Sequence, residues 1–197
     1  MRSQEFQKEQ GEREVLGIFL SCTDRSQWVV QKELHPDFII IGPDDERVGV
    51  EVTRFTPEAM QVIHAIMREY SGKQNHPDEV KKAASKRHGM KAERYQYLEL
   101  NGKLAISAQA SNISQQKERY AAAIIRKYEK YEALMEQFHR FIILCDARQG
   151  IDIIDENDAN DIIDYLSNYN FLKAFQVAII YSNYGSVFCY QKEIKAT

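Results

Sequence analysis

The sequence lacks long apolar runs and paired cysteines, and each absence excludes a class of protein. No stretch of the 197 residues approaches the roughly 18 consecutive apolar residues that a membrane-spanning helix needs. The first residues, MRSQEFQKEQGERE, are too polar for a secretory signal. The three cysteines, Cys22, Cys145 and Cys189, are scattered beside apolar residues, so we interpret them as reduced core residues and not as zinc ligands or disulfides. We therefore expect a cytoplasmic protein that does not enter membranes.

Sequence motifs of several enzyme classes are also missing. The chain has no Gly-x-Ser-x-Gly turn of the kind that presents a nucleophilic serine. It has neither a Gly-x-x-x-x-Gly-Lys phosphate loop nor a dinucleotide-binding fingerprint. These absences exclude nucleotide-driven motors and leave nucleophilic hydrolases without support. There are no internal repeats, and 44% hydrophobic residues in a chain of this length predict a single domain with a substantial core.

Positive and negative charges are concentrated in different stretches. The net charge of −3 argues against a protein that coats nucleic acid nonspecifically. Residues 81–94, however, contain six basic residues against one acidic residue, whereas residues 152–164 contain six acidic residues and no basic one. We predict that the basic stretch binds a polyanion through Lys81, Lys82, Lys86, Arg87, Lys91 and Arg94. The alternative is that both stretches are ordinary solvated helices.

Hydrophobic periodicity predicts an α/β (α+β) fold with a mixed central sheet flanked by helices. The predicted order is a helix, a three-stranded meander, a helix, an insertion, a helix, a strand, a helix and two strands. The insertion covers residues 71–110, where YQYLELNGKLAIS fits either a hairpin or a broken helix. The predicted helices cover 13–22, 57–70, 112–138 and 156–169, and the predicted strands cover 28–34, 37–41, 48–52, 141–145, 175–182 and 186–191.

Two carboxylates lie on strands whose other residues are apolar. If the hairpin within HPDFIIIGPDDERVGVEVTRF turns near Asp44, Asp37 stands opposite Glu51, with the two Cβ atoms roughly 5 Å apart on one face. Two such carboxylates repel each other unless one is protonated or a cation lies between them. Hard oxygen ligands at this spacing suit Mg²⁺ or Mn²⁺. The alternative is a different register, in which each acid faces solvent.

A lysine interrupts the apolar stripe of the long predicted helix. Lys127 lies in its middle, and Lys130 lies at its border one turn further on. A lysine aimed at a core needs a carboxylate partner or a cavity, because its ammonium group is costly to desolvate alone. The carboxylates of the hairpin would provide that partner, unless Lys127 extends to the helix edge and buries only its methylenes. The stripe consists of Ile113, Tyr120, Ile124, Lys127, Tyr131, Leu134 and Phe138.

The hairpin and the order of elements resemble the PD-(D/E)xK nuclease superfamily. Pro36-Asp37 corresponds to the first half of that motif and Glu51-Val52-Thr53 to the second. The resemblance implies a restriction-endonuclease-like core from the first helix to the strand at 141–145, with 71–110 as an insertion. It implies that Asp37, Glu51 and the backbone carbonyl of Val52 bind a divalent ion. A glutamate of the first helix often assists, which points to Glu14 or its neighbour Glu12, and the pattern does not separate them.

Thr53 departs from the family motif, which has a lysine at this position. In the family that lysine orients the attacking water and stabilises charge on the phosphate, and some members carry it on the following helix. Lys127 is the first candidate for this role here, and Lys130 is the second.

The sequence therefore predicts a Mg²⁺-dependent (or Mn²⁺-dependent) endonuclease that hydrolyses phosphodiester bonds, with DNA favoured over RNA as the partner. The basic stretch would hold the phosphate backbone. One alternative is a noncatalytic module that keeps the nuclease fold and binds nucleic acid or a protein. Another is an interaction protein that docks through Tyr120, Tyr128 and Tyr131. The oligomeric state is left open, with a homodimer among the options.

Overall fold

The chain divides into two compact units. The computed structural model describes residues 2–55, 58–70, 76–88, 95–100, 103–108, 113–148, 153 and 155–196. The first unit combines Met1–Phe55 with Asn112–Thr197, and the second is Thr56–Ser111. The second unit thus contains the whole predicted insertion together with the helix that precedes it.

The first unit is built on a six-stranded mixed sheet with the strand order β1-β2-β3-β6-β7-β8. The parallel pairs are β3 with β6 and β6 with β7, and the other neighbours are antiparallel. The predicted mixed sheet and its order of elements are therefore confirmed. The strands are β1 (Val29–Lys32), β2 (Phe38–Ile41), β3 (Arg47–Arg54), β6 (Arg140–Asp146), β7 (Phe175–Asn183) and β8 (Ser186–Ile194).

The hairpin β2–β3 has the predicted register. Phe38 pairs with Val50, so Asp37, one residue before β2, falls opposite Glu51. The turn is a short 3-10 segment, Pro43–Asp45, in which Asp44 has a φ of 59°. Aspartate tolerates this left-handed conformation better than most residues, because its short polar side chain bonds locally. The turn chemistry thus fixes the register that brings the two acids to one end of the hairpin.

Helices cover both faces of the sheet in the first unit. Helix α1 (Arg2–Cys22) packs Leu16 and Phe19 on one face. Helices α4 (Ile113–Met135) and α5 (Glu156–Leu166) cover the other. Helix α1 begins well before the predicted residue 13, because its polar first turns carry no apolar signal although glutamine, glutamate and lysine favour helix.

The tyrosines of α4 belong to the core. Tyr120, Tyr128 and Tyr131 are each only 2–3% exposed. Tyr131 packs on Phe141 of β6, with ring centroids 5.9 Å apart. The prediction of a tyrosine-rich docking face is therefore wrong, since an interaction surface must be accessible.

The described part of the second unit comprises two helices and a two-stranded sheet. Helix α2 (Glu58–Tyr70) and helix α3 (Pro77–His88) accompany the antiparallel strands β4 (Tyr95–Leu100) and β5 (Lys103–Ala108). The segments YQYLEL and KLAIS thus pair as antiparallel strands, as expected for the hairpin and not for the broken helix. The small core of the second unit contains Ile66, Val80 and Ala84, with Tyr97 and Ile106 packed against them.

The three cysteines are free thiols in different environments. Cys145 is buried and Cys189 is half-buried, but Cys22 is exposed at the end of α1. Cys22 therefore corrects the prediction that all three lie in the core. Among the described residues, no helix is both long and apolar enough to cross a membrane.

Candidate active site

Asp37 and Glu51 meet at the open end of the β2–β3 hairpin. The backbone N–H of Asp37 donates a hydrogen bond to Oε2 of Glu51 at 3.2 Å. The N–H of Val52 donates in return to Oδ2 of Asp37 at 2.9 Å. The side chain of Glu51 is 2% exposed and that of Asp37 is 14% exposed. Each carboxylate is therefore held by the backbone of the opposite strand, and both are largely removed from water.

Lys127 reaches this pair from α4. Its Nζ lies 2.5 Å from Oε1 of Glu51, and its side chain is 28% exposed. The alternative in which Lys127 extends to the helix edge is therefore wrong, because the ammonium group turns towards the sheet. A buried carboxylate needs such a partner, since an unpaired charge inside a protein costs several kcal/mol.

Lys130 approaches the same carboxylates through a tyrosine. Its Nζ donates a hydrogen bond to the Tyr131 hydroxyl at 2.8 Å. His35, which precedes the motif proline, has Nδ1 3.3 Å from the same hydroxyl. Burial and then the negative charge of Glu51 raise the pKa of Tyr131 well above its usual value. Tyr131 is thus a neutral link between Lys130 and the acids.

Helix α1 contributes Glu12 to this cluster. Oε2 of Glu12 accepts a hydrogen bond from Nζ of Lys32 at 3.0 Å, and the same Nζ is 3.7 Å from Oδ1 of Asp37. Glu14 instead pairs with Nη1 of Arg148 at 2.5 Å. Of the two glutamates that the sequence left open, Glu12 is the one that shares a cation with Asp37. Glu14 lies in a different network, so the geometry favours Glu12 as the assisting glutamate, and the role of Glu14 stays a prediction.

That second network surrounds Asp146 at the end of β6. Asp146 is 2% exposed and accepts hydrogen bonds from Nε and Nη2 of Arg148 at 2.9 and 3.2 Å. Nε of Arg54 lies 3.9 Å from the same carboxylate. Two guanidinium groups thus balance Asp146 and Glu14. We interpret this network as structural, because neither Asp146 nor Glu14 has a described hydrogen bond or ion pair that joins it to Asp37 or Glu51.

The donor atoms near Asp37 fit a hard divalent ion. Both acids offer carboxylate oxygens, and each oxygen retains a lone pair beyond its present hydrogen bond. The N–H of Val52 points towards Asp37, so its carbonyl faces the same side of the extended strand. Over the described ranges, no three His, Cys, Asp or Glu side chains are grouped closely enough to hold a metal. A site here would therefore combine two carboxylates with a backbone carbonyl, a donor set that Mg²⁺ accepts.

The basic stretch lies partly within the described residues. Lys81, Lys82 and Lys86 lie on α3, where Lys82 and Lys86 are exposed and Lys81 is partly buried. The backbone of Arg87 is helical, but Lys91 and Arg94 lie outside the described residues. The exposed lysines are available to a polyanion, and they belong to the second unit.

Comparisons with known proteins do not add to this description. The chain matches no protein-family model, and no curated protein or solved structure matches it. Any functional conclusion therefore depends on the geometry and chemistry of the residues above.

Proposed function

We propose that this protein is a metal-dependent nuclease with a restriction-endonuclease-like core that hydrolyses phosphodiester bonds, with DNA favoured over RNA. The observation that carries the proposal is the contact between Lys127 and Glu51. Thr53 leaves the motif without its lysine, and a lysine of another element reaches the motif glutamate instead. This arrangement supports a catalytic lysine that has moved to another element, and it is less expected of a noncatalytic module with the same fold.

Asp37, Glu51 and the carbonyl of Val52 would hold Mg²⁺ or Mn²⁺. When bound, such an ion supplies a water of lowered pKa and positive charge for the phosphate oxygens. The backbone hydrogen bonds between Asp37, Glu51 and Val52 hold the carboxylates in place before any ion arrives. Preorganisation of this kind removes reorganisation cost from the reaction.

Lys127 would stabilise the negative charge that develops on the attacked phosphate. Its ammonium group is held against Glu51 and is mostly shielded from water, where a fixed positive charge acts more strongly than in bulk solvent. Lys130 is bonded to Tyr131 and is exposed, so its charge is weaker at the acids. We therefore assign the catalytic charge to Lys127.

The basic face of α3 would bind the phosphate backbone of the substrate. Lys82 and Lys86 are exposed there, in a chain whose overall charge is negative. Contacts of this kind release counterions, so binding should weaken steeply with salt. They position nucleic acid without reading its sequence.

The competing candidate is a noncatalytic module that binds nucleic acid or a protein with the same fold. Thr53 favours this candidate, because a nuclease that loses its lysine without replacement becomes inactive. Only the nuclease predicts cleavage, whereas the noncatalytic module predicts binding of nucleic acid or of a protein without cleavage.

Cleavage of mixed single- and double-stranded DNA and RNA in Mg²⁺ tests the proposal. We expect cleavage by wild type, none after chelation with EDTA, and a loss of orders of magnitude in Asp37→Asn, which removes one carboxylate charge. Asp44→Asn is the matched control, because the same change at an exposed turn residue with φ of 59° is well tolerated. If wild type cleaves no substrate, the noncatalytic module is the better description.

A further inference from the structure

Lys32 lies between two carboxylates of the candidate site. It is the last residue of β1, and its Nζ is 3.0 Å from Oε2 of Glu12 and 3.7 Å from Oδ1 of Asp37. The two acids come from α1 and from the start of the hairpin. One ammonium group therefore joins elements that are separate in sequence.

Lys32 is partly buried and is more shielded from water than an ordinary surface ion pair. The side chains of Lys32 and Glu12 are 27% and 11% exposed. Nζ also lies 4.3 Å from the ring centroid of Phe38, over its face. A cation in contact with an aromatic ring and two shielded carboxylates is stabilised by both, and without it the carboxylates would repel each other.

Lys32 and Lys127 approach the acids from opposite sides of the sheet. Phe38, against which Lys32 packs, belongs to the core under α1, whereas Lys127 comes from α4. Asp37 uses Oδ1 towards Lys32 and Oδ2 towards the N–H of Val52. The Asp37–Glu51 pair and the Glu12–Asp37 pair are therefore two neighbouring sites that each favour a positive charge. The Lys32 ammonium group occupies the second site.

We propose that the Lys32 ammonium is a built-in replacement for a second divalent ion, so that this site binds one ion and not two. The inference rests on the proposed function, because it takes the Asp37–Glu51 pair as the place of the first ion. Lys32 is then a positioning residue. It holds Glu12 and Asp37 together without metal and prevents a second ion from binding between them.

Calorimetric titration of Mn²⁺ alone, without nucleic acid, tests the number of ions bound. We expect wild type to bind one Mn²⁺ per chain and Lys32→Ala to bind two, because the small side chain removes the ammonium group that lies between the two carboxylates. Lys32→Arg keeps the positive charge and should bind one. The double variant Glu12→Gln with Lys32→Ala should again bind one Mn²⁺ per chain, since the second ion needs both carboxylates.

Lys8 provides the matched control. It also contacts Glu12, at 3.3 Å, but its side chain is 76% exposed and forms no described ion pair with Asp37. Lys8→Ala should therefore bind one ion. Thermal melting without metal should show a lower melting temperature for Lys32→Ala than for wild type. Added Mn²⁺ should restore most of that difference. If Lys32→Ala does not fold, Lys32→Gln, which removes the charge but keeps a polar group, replaces it in the titration.

The outcomes separate this inference from the proposed function. One Mn²⁺ in wild type and one, with equal affinity, in Lys32→Ala would overturn the role of Lys32 and leave the first metal place intact. Two ions in wild type would overturn it as well. No Mn²⁺ bound to wild type would overturn the metal site of the proposed function itself.

Discussion

At the scale of single residues, the site is a balance of charges taken out of water. Glu51 is almost fully buried and meets the Lys127 ammonium, while Glu12 and Asp37 share Lys32. Desolvation makes each of these charges costly alone and favourable only together. Removing one member of the cluster should therefore expose the desolvation cost of the others.

The first prediction concerns the stability of the Glu51–Lys127 pair. Lys127→Met should lower the free energy of unfolding by about 3 kcal/mol in the absence of metal, because it leaves a buried carboxylate without its counter-ion. Glu51→Gln in the same background should recover most of that loss. Urea denaturation of the two single variants and the double variant measures the coupling.

Lys130→Met is the control for this prediction. Lys130 is exposed and bonds only to the Tyr131 hydroxyl among the described contacts, so its loss should cost less than about 1 kcal/mol. Equal losses in Lys127→Met and Lys130→Met would argue against a special role for the buried pair.

The sequence predicted the residues of this site that follow one another at regular spacing. The turn at Asp44 sets the register of Asp37 and Glu51, and the helical stripe identifies Lys127. Lys32 was not singled out, and Glu12 was named only as an alternative to Glu14 through the family resemblance. The contact between Lys32 and Glu12 depends on how α1 packs on the sheet, which no local period encodes. The hairpin register of β1 would have placed Lys32 opposite Phe38, and this was the available signal.

At the scale of elements, the site depends on the close packing of β3 against β6 and α4. Gly49 lies on β3, two residues before Glu51 and on the same face. A Cβ atom at Gly49 would lie 2.9 Å from the ring of Phe141 and 3.0 Å from that of Phe138. The absent side chain lets two aromatic rings pack directly on the strand. This close packing determines how near Glu51 lies to α4.

The second prediction follows from that close approach. Gly49→Ala should destabilise the protein by about 1–3 kcal/mol, because the rings must shift, and it should weaken Mn²⁺ binding by displacing Glu51. Gly17→Ala is the matched control. Gly17 lies in α1 with nothing within 4 Å of its Cβ position, so alanine should stabilise the helix by about 0.5–1 kcal/mol. Thermal melting measures both, and a harmless Gly49→Ala would contradict the packing argument.

The third prediction concerns α3. Replacing Lys81, Lys82, Lys86 and Arg87 by Glu should weaken binding to DNA and flatten its salt dependence by about one slope unit per lost phosphate contact. Lys195→Glu, at an exposed position in the first unit, is the control. Fluorescence anisotropy at several salt concentrations gives both the affinity for DNA and its salt dependence. Unchanged affinity at low salt would make α3 a solvated surface.

At the scale of the whole molecule, the chain joins a sheet-based unit that carries the acids to a smaller unit that carries the basic helix. Periodicity predicted the order of elements of the first unit, because each strand and helix there includes an apolar segment of the matching period. It did not decide between hairpin and helix in the second, because its short segments bury few residues. The second core is correspondingly small, with Ile66, Val80 and Ala84 at its centre.

The fourth prediction tests the first unit without reference to function. Burial raises the pKa of the Cys189 thiol to about 12, and burial also raises that of Cys145 well above its usual value. Because the thiolate is the reactive form, only exposed Cys22 should react quickly with a thiol reagent at pH 8. Cys189 should react slowly and Cys145 only on unfolding. Three equally fast thiols would contradict the packing of β6 and β8.

The sign of the Cys189 effect on stability follows from the raised pKa. The folded protein keeps the proton to about pH 12, whereas the unfolded chain releases it near 9.0. The contribution of this thiol to stability is therefore intact below pH 9 and is lost as the pH rises through 12. Cys189→Ser should make the free energy of unfolding less sensitive to pH in that window, as urea denaturation at pH 8 and pH 10.5 would show.

The central claim is that Lys127 performs the work of the lysine that Thr53 does not provide. Thr53 lies two residues after Glu51 on the same strand, so its side chain is on the same face as Glu51, towards α4. A lysine placed at 53 should therefore reach the same carboxylate. This allows the charge to be moved from the helix back to the strand.

The most direct measurement is the rate of Mg²⁺-dependent DNA cleavage by wild type, Lys127→Met, and Lys127→Met combined with Thr53→Lys. We predict that Lys127→Met lowers the rate by about 100-fold or more, as expected for the loss of a preorganised positive charge. We predict that the added Thr53→Lys restores a large part of it. Cleavage by Lys127→Met at the wild-type rate would contradict the claim.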